Sequence, residues 1–231
     1  MRVAVLSDIH ANIQALEAVL RDCESEKADE FWLLGDYVDY GAANIAVLQK
    51  LKALGAKHVL LGNHEGCLFS SHVRISTTAH GHASYEYTKA CMQRDPQPFQ
   101  WLKACPPIKL LEHENVLLVH GTPEDPYWGR FLPGDNEGFE KVLAAMATYN
   151  ADILFVGHSH ISFLLTHEGK QIVCPGSVGQ PRNGCSSAQY VIFEHGTVTF
   201  KKVPYDIDGA AADIRAAGLP GYLWERLYCG K

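Results

Sequence analysis

Residues 3–10 read Val3-Ala4-Val5-Leu6-Ser7-Asp8-Ile9-His10, an apolar run that ends abruptly in polar side chains. An uninterrupted apolar run of this length predicts a strand buried on both of its faces. The same pattern recurs along the chain. The apolar runs are Val3–Leu6, Phe31–Leu34, Val59–Leu61, Val116–Val119 and Ile153–Val156, and the polar clusters that follow them are Ser7–His10, Gly35-Asp36, Gly62–Glu65, His120-Gly121 and Gly157–His160. The chain is therefore predicted to contain buried strands that each present polar residues at one end.

The five polar clusters are predicted to meet at one place. In open α/β sheets, ligands collect at the carboxyl ends of the strands. The clusters carry Asp, Asn and His, a mixture of oxygen and imidazole donors that suits zinc, manganese or iron and lacks the thiolates of a structural zinc site. Taken singly, each cluster has an ordinary explanation as a turn or a helix cap. Their joint occurrence after separate predicted strands favours a metal site.

The spacing of the other apolar residues indicates the fold class. Helical periodicity follows the first two strands, at residues 13–20 and 47–54, which predicts an opening of alternating strands and helices around a parallel sheet. The second half adds a helix at residues 139–146 and two hairpins with turns at Glu168-Gly169 and His195-Gly196. The tail predicts two short helices separated at residues 218–220. Two packed sheets with helices outside satisfy these patterns, and residues 66–107 are expected to supply helices along one edge of the site.

Length and composition restrict the class of protein. A chain of 231 residues with 47% apolar and 20% charged residues is expected to form one globular domain over residues 1–231. The formal net charge of -6 argues against long nucleic acids and anionic membranes as partners. Seven scattered cysteines without a Cys-x-x-Cys pair indicate reduced thiols. With no apolar stretch near ~20 residues and no apparent signal sequence, we expect a cytoplasmic protein.

The order of the polar clusters resembles that of a known family. The blocks are Asp8-x-His10, Gly35-Asp36-x-x-Asp39, Gly62-Asn63-His64-Glu65, His120 and Gly157-His158-x-His160. Together they resemble the calcineurin-like metallophosphoesterase superfamily. The stretches Pro175–Arg182 and Val203–Asp206 also resemble bacterial members related to small phosphodiesterases and to diadenosine tetraphosphatase-like proteins. The likeness extends over nearly the whole chain.

The resemblance implies a fold, a cofactor and a set of ligands. The fold is a four-layer αββα sandwich, an α/β fold in which two packed mixed β-sheets are flanked by helices. The cofactor is a pair of divalent metal ions, whether manganese, iron, zinc or nickel. Asp8, His10 and His160 would hold the first metal, Asn63, His120 and His158 the second, and Asp36 would bridge them. Glu65 stands where many members have Asp after the histidine, at a position expected to support His64.

The implied geometry leads to a hypothesis for the reaction. Two cations about 3.5 to 4 Å apart can share a hydroxide that is nucleophilic at neutral pH. The same cations neutralise phosphate oxygens as charge grows in the transition state. The hypothesis is in-line attack on phosphorus without a covalent phosphoenzyme, with His64 protonating the leaving oxygen as general acid. A small phosphodiester is the expected substrate, because the resemblance is closest to small phosphodiesterases.

Several alternatives stay open at this level. The chain could be a phosphomonoesterase or a dinucleoside polyphosphate hydrolase, or a binding module that keeps the fold without the reaction. Arg182 is a candidate for binding a substrate phosphate or a solvent-facing residue. Asp39 is expected to orient a metal ligand or to cap its own backbone. Tyr40 either lines the pocket or packs in the core, His72, His80 and His82 are expected on the surface, and the oligomeric state is not predicted.

Overall fold

The computed structural model describes residues 1–231 and contains ten strands and eight α-helices. The strands are β1 (Arg2–Leu6), β2 (Glu30–Leu33), β3 (His58–Val59), β4 (Ile108–Leu111), β5 (Val116–Val119), β6 (Ile153–Phe155), β7 (Phe163–His167), β8 (Lys170–Cys174), β9 (Ala188–Glu194) and β10 (Thr197–Val203). The helices are α1 (Ile13–Ser25), α2 (Asn44–Leu54), α3 (Asn63–Phe69), α4 (Ala79–Arg94), α5 (Gln97–Gln100), α6 (Asn136–Thr148), α7 (Ile207–Ala216) and α8 (Gly221–Glu225). None of these helices combines the length and the apolar character that crossing a membrane requires.

The strands form two mixed sheets of five strands each. The order in the first sheet is β10-β9-β1-β2-β3, and in the second it is β4-β5-β6-β8-β7. Strands β1, β2 and β3 are parallel, and so are β5, β6 and β8. The predicted hairpins are antiparallel pairs, β7 with β8 and β9 with β10. The carboxyl ends of β1, β2 and β3 therefore lie at one edge of the first sheet, as those of β5 and β6 do in the second.

The two sheets pack face to face, and helices cover their outer faces. The layer between the sheets is formed by Val3, Val5, Trp32, Leu34, Leu60 and Val191 on one side and by Leu111, Val116, Leu118, Phe155 and Val173 on the other. Helices α1 and α2 pack on the outer face of the first sheet, and α6 packs on that of the second. This arrangement confirms the predicted four-layer αββα sandwich. Burial between two sheets explains why the strands carry continuous apolar runs.

Some predicted boundaries differ from the structure by a few residues. Strand β3 ends at Val59, and the run Val59–Leu61 bonds to β2 only as far as Leu60, whose N–H donates to the carbonyl of Leu33 at 2.9 Å. The N–H of Leu61 donates instead to the carbonyl of Pro106 at 2.9 Å. From its place before Pro96, Asp95 is predicted to cap the start of a helix. It ends α4 instead, since its N–H still donates to the carbonyl of Cys91 at 2.9 Å, and Pro96 precedes the single turn of α5.

Candidate metal centre

The five polar clusters meet at the edge where both sheets end. They follow β1, β2, β3, β5 and β6, and main-chain hydrogen bonds join the loops to one another. The N–H of Asp8 donates to the carbonyl of Gly35 and that of His10 to the carbonyl of Asp36, both at 3.0 Å. In the second sheet, the N–H of Gly157 donates to the carbonyl of His120 at 2.8 Å. The backbone itself therefore holds the loops in register.

Most of the predicted metal ligands lie in a left-handed backbone conformation. The values of φ are 54° at Asp8, 48° at His10, 57° at Asp36, and 59° at both His158 and His160. Residues other than glycine seldom adopt positive φ, although Asp and His tolerate it better than most. Such conformations cost free energy and cluster at functional sites. The loops are shaped to aim these side chains at one point.

Glycine permits the close approach of two of these loops. Gly35 has φ of 106°, and a Cβ atom added there would lie 2.4 Å from the main-chain nitrogen of Gly62. A Cβ atom on Gly62 would lie 2.1 Å from Oδ1 of Asp36. A side chain at either position would push the loops after β2 and β3 apart.

A first group of side chains surrounds Asp8. The ligand atoms of Asp8, His10, Asp36 and His160 all lie within 4.8 Å of one another, and the four side chains are buried. Nε2 of His160 lies 3.2 Å from Oδ1 of Asp8 and 3.1 Å from Nε2 of His10. Oδ1 of Asp8 is buried and has no hydrogen-bond partner. These atoms define a small enclosed space surrounded by electron-pair donors.

A second group shares Asp36 with the first. Ligand atoms of Asp36, His120 and His158 also lie within 4.8 Å of one another. Nε2 of His120 lies 3.1 Å from Oδ2 of Asp36 and 3.1 Å from Oδ1 of Asn63. The structure thus brings together every side chain that the sequence predicts as a ligand, with the Asp36 carboxylate between the two groups.

The donor set fits divalent cations because its lone pairs face one another. Nδ1 of His10, His120 and His160 lies 3.0, 2.9 and 2.6 Å from the carbonyl oxygens of Val38, Leu34 and Gln180 respectively. A carbonyl only accepts hydrogen bonds, so each Nδ1 carries a proton, and each ring in its neutral form presents a lone pair at Nε2. Two imidazole lone pairs 3.1 Å apart, next to a carboxylate oxygen, repel each other unless a cation lies between them.

Protonation in the cluster agrees with this interpretation at three of the histidines. Burial, the largest cause, lowers the pKa of His10 well below its usual value, lowers that of His158 to about 3, and also lowers that of His160. These rings are neutral at pH 7. For His120 burial also acts downward, but the carboxylates of Asp36 and Asp8 outweigh it and raise the pKa to about 9. A cation bound at Asp36 would replace that proton.

His64 is held beside the shared carboxylate by Asp39. Nδ1 of His64 lies 2.6 Å from Oδ2 of Asp39, and its Nε2 lies 3.9 Å from Oδ2 of Asp36. The N–H of His64 donates to Oδ1 of Asp36 at 3.0 Å. Burial alone would lower the pKa of His64, but the Asp36 and Asp39 carboxylates raise it well above its usual value. Asp39 therefore orients His64, and neither of its sequence-based interpretations, a metal ligand's partner or a backbone cap, matches this contact.

Glu65 supports the loop after β2 instead of His64. Its carboxylate accepts hydrogen bonds from the N–H groups of Asp36, Tyr37 and Val38 at 2.8, 2.7 and 3.1 Å, and from that of Gly62 at 3.0 Å. Glu65 is the third residue of α3, where an acidic side chain that reaches back to the residue before the helix is a known capping pattern. That pattern was readable in the sequence. Its extension to the Asp36 loop was not.

The other predicted residues occupy varied positions. Tyr40 lines the site, since its ring centroid lies 4.7 Å from that of His10 and 4.8 Å from that of His64. Arg182 lies beside Tyr40, with its Cζ atom 5.9 Å from the tyrosine ring, and its main-chain N–H donates to the carbonyl of His160 at 3.1 Å. His72 and His82 are exposed as predicted, whereas His80 packs on the ring of Tyr222 at 4.6 Å.

The tail contributes a residue that the sequence did not single out. Arg226, which follows α8, is buried near Arg182, and the charges of both arginines add to burial in lowering the pKa of His80. No motif marks Arg226 as part of the site, because only the docking of the tail brings it there.

Comparison with known proteins places the chain in a family. The family model described as the calcineurin-like phosphoesterase superfamily domain matches residues 1–197. An uncharacterized protein of Methanocaldococcus jannaschii is 32% identical over an alignment of 248 positions, which covers 99% of this chain and 98% of that protein. A solved metallophosphoesterase from Sphaerobacter thermophilus superposes with a TM-score of 0.83 at 31% identity, with 100% of both chains covered.

A more distant likeness covers only part of the chain. A protein of Coxiella burnetii named symmetrical bis(5'-nucleosyl)-tetraphosphatase is 27% identical over 129 residues, which are 54% of this chain and 42% of that relative. The chain thus matches less than half the length of that protein. The family model and the full-length relatives agree with the architecture and with the buried Asp and His cluster. The chain belongs to the calcineurin-like phosphoesterase superfamily.

Proposed function

We propose that this chain is a dinuclear-metal-dependent phosphoesterase that hydrolyses a small phosphodiester. Membership of the family supports a hydrolase of phosphate esters. The observation that carries the proposal is the pair of buried donor groups that share Asp36. Under this proposal one cation would be held by Asp8, His10 and His160. The other cation would be held by Asn63, His120 and His158, and Asp36 would contribute to both. Manganese, iron, zinc and nickel all suit this donor set.

The chain's own residues would supply the environment in which the cations work. When bound, a cation pair supplies Lewis acidity that generates a nucleophile from water and neutralises phosphate charge. Asp8, His10 and His120 are nearly inaccessible to solvent, so electrostatic interactions in the site are little screened by water. The carbonyls that hold each Nδ1 proton keep the Nε2 lone pairs aimed inward.

His64 is the proposed general acid. Nδ1 of His64 donates a hydrogen bond to Asp39, so in the protonated ring the proton on Nε2 is the one that can be given away. Nε2 faces the shared carboxylate of Asp36, at the place where the two donor groups meet. The neighbouring carboxylates favour the protonated ring, which is the form that protonates a leaving oxygen.

Substitution of His64 tests the proposal. The full chain is loaded with manganese and assayed with a 4-nitrophenyl phosphodiester and with the matching phenyl phosphodiester. His64→Ala is expected to reduce kcat by about 10²- to 10⁴-fold. The loss should be larger for the phenyl ester, because phenolate is the poorer leaving group and needs the proton more. His82→Ala, which removes an exposed histidine, is the matched control.

Two results would count against the proposal. If His64→Ala loses its metal, measured by elemental analysis, then His64 has a structural role in the centre. If the wild-type chain hydrolyses no phosphodiester with any of the four metals, the chain is a binding module or acts on another bond.

Dinucleoside polyphosphate hydrolysis is the second candidate. It is supported by the partial match to proteins named symmetrical bis(5'-nucleosyl)-tetraphosphatases. Both reactions use the same cations and the same acid, so the donor set does not separate them. Incubation with diadenosine tetraphosphate, with products resolved by anion-exchange chromatography, distinguishes them through the ratio of kcat/KM for the two substrates.

Three further properties accompany the proposal. We propose that residues 1–231 act as one domain, since strands from both halves of the chain pair in the first sheet. None of the seven cysteines is paired, which supports action in the reducing cytoplasm. The net charge of -6 supports small esters over long nucleic acids or membrane surfaces as partners.

A further inference from the structure

Two arginines that influence each other's charge lie beside the candidate centre, and no acidic side chain pairs with them. Arg182 belongs to the loop between β8 and β9, and Arg226 begins the turn after α8. Arg226 is only 7% exposed. Neither guanidinium has an aspartate or glutamate oxygen within 4.0 Å, whereas Arg2 in the same chain pairs with Glu26 at 2.8 Å. A buried guanidinium without an acidic side-chain partner is costly to keep unless other acceptors satisfy its N–H groups.

The hydrogen bonds of the two guanidinium groups leave donors free. Nη2 of Arg182 donates to Oε1 of Gln180 at 3.0 Å, and its Nε is buried without a partner. Nε of Arg226 donates to the main-chain oxygen of Lys231, and its two Nη nitrogens donate to no atom of the chain. Planar guanidinium groups with free N–H donors match the oxygens of phosphate or phosphonate.

Aromatic rings pack against both guanidinium groups. The Cζ atom of Arg182 lies 5.9 Å from the ring of Tyr40, and that ring lies 4.7 Å from the ring of His10. The Cζ atom of Arg226 lies 4.9 Å from the ring of Tyr222, against which His80 packs from another side. Tyr40 thus lies between Arg182 and His10, although the charge of Arg182 adds to burial in lowering the pKa of the ligand His160. Arg226 contacts none of the ligand histidines, so an anion that it helps to hold would be a different group from the one at the metals.

The C-terminal segment is docked so that Arg226 stays in place. Leu223 and Leu227, on either side of Arg226, pack with Tyr40 in one apolar cluster. The N–H of Gly184 donates to the carbonyl of Gly230 at 2.9 Å, which ties the tail to the loop that carries Arg182. Burial, and then the charge of Arg182, lowers the pKa of Arg226. A bound anion would remove this repulsion.

We propose that Arg182 and Arg226 form an anion subsite for a second phosphoryl group of the substrate, joined covalently to the ester that is hydrolysed. The substrate class is thus a phosphate ester with two separate phosphoryl groups. The position of the hydrolysed ester rests on the proposed function. The subsite itself rests on the N–H donors that both guanidinium groups leave free.

The test compares two ligands that the enzyme cannot hydrolyse because their phosphorus is bonded to carbon. Butane-1,4-bisphosphonate and butylphosphonate differ by one phosphonate group. Calorimetry on the manganese-loaded full chain is expected to show binding of the bisphosphonate at least about tenfold tighter, beyond the statistical advantage of its two ends. Bisphosphonates with three and six carbons would report the spacing between the two phosphoryl positions.

Variants assign this preference to the arginines. Arg226→Gln and Arg182→Gln are each expected to lower the affinity ratio to within about twofold, and Arg226→Lys to retain part of it. Arg215→Gln is the matched control, because Arg215 also lies over an aromatic ring of the tail, that of Trp224, but is exposed. If Arg226→Gln loosens the tail, which would lower the Tm, the affinity ratio of Arg182→Gln decides whether the subsite exists, since Arg182 lies outside the tail.

The outcomes separate this proposal from the proposed function. A wild-type chain that binds both ligands equally, or variants that keep the wild-type ratio, would overturn the subsite even if phosphodiesters are hydrolysed. A wild-type chain that prefers the bisphosphonate through Arg182 and Arg226 but hydrolyses no phosphate ester would support the subsite and reject the phosphoesterase.

Discussion

Asp39 lies in a left-handed backbone conformation with φ of 67°, and its carboxylate lies 2.6 Å from Nδ1 of His64. The N–H of Asp39 donates to Oδ1 of Asn44 at 3.1 Å, and Asn44 also accepts from Thr88 at 3.2 Å. Asn44 of α2 and Thr88 of α4 therefore hold Asp39 in place, and Asp39 in turn positions His64, the proposed general acid. A carboxylate at Nδ1 both selects the tautomer of a histidine and stabilises its protonated form.

We expect Asp39→Asn to lower kcat by about 10- to 100-fold. Asparagine keeps the size of the side chain and can still accept the Nδ1 proton, but it removes the negative charge that favours protonated His64. Metal content should not change, because Asp39 is not among the donor atoms of either group. Steady-state kinetics with a phosphodiester and elemental analysis check both statements. Asp152→Asn, at an exposed carboxylate, serves as the control, and equal activities of the two variants would contradict the assignment.

At the scale of elements, helix α3 fixes the backbone of the loop after β2 through hydrogen bonds. Its third residue, Glu65, is fully buried and accepts hydrogen bonds from the N–H groups of Asp36, Tyr37 and Val38. Burial and the Asp36 carboxylate raise the pKa of Glu65 to about 7, against the backbone donors that favour its charged form. The helix thus contributes one proposed ligand, Asn63, and fixes the backbone of another, Asp36.

Glu65→Gln is expected to lower the free energy of unfolding by about 1–3 kcal/mol. The amide group would turn hydrogen-bond donors toward backbone N–H groups that also donate, and buried donors would lose their acceptor. Urea unfolding followed by circular dichroism measures the change, with Glu86→Gln on the exposed face of α4 as the control. An unchanged midpoint in Glu65→Gln would show that this contact contributes nothing to stability.

At the scale of the whole molecule, the two sheets share the candidate centre. Asp8, His10, Asp36 and Asn63 follow strands of the first sheet, whereas His120, His158 and His160 follow strands of the second. Cations held by both sets would connect the sheets at one edge, in addition to the apolar layer between them. Binding to the folded chain alone raises its stability by mass action.

Removal of metal is therefore expected to lower the Tm of the full chain. Metal at about 100 times its Kd contributes about 2.7 kcal/mol, which corresponds to about 5–10 °C for a chain of this size. Differential scanning calorimetry before and after chelation, and after manganese is restored, measures the shift. Asp36→Asn, which lacks the shared carboxylate, should respond much less. An equal response of that variant would mean that chelation acts elsewhere.

The local pattern of the sequence determined the fold class and the types of donor. Apolar runs such as Val3–Leu6 and Val116–Val119 have no polar face to expose, so they are stable only between two covering layers. Parallel pairing then brings the residues after such strands to one edge, which is why Asp8 and Asp36 were predictable as neighbours. The resemblance to the family added the assignment of individual ligands, and those assignments stay predictions until metal is measured.

Only the tertiary structure decided which side chains support the site. Asp39 pairs with His64, Glu65 reaches the loop of Asp36, and Arg226 approaches Arg182 from the end of the chain. These partners are brought together by turns with left-handed residues and by the docking of the tail, so their contacts depend on the path of the folded backbone. Periodicity reports which face of an element is buried, because burial is a local average over a strand or a helix. A contact between two particular side chains depends on the position of both backbones, and no local pattern contains that information.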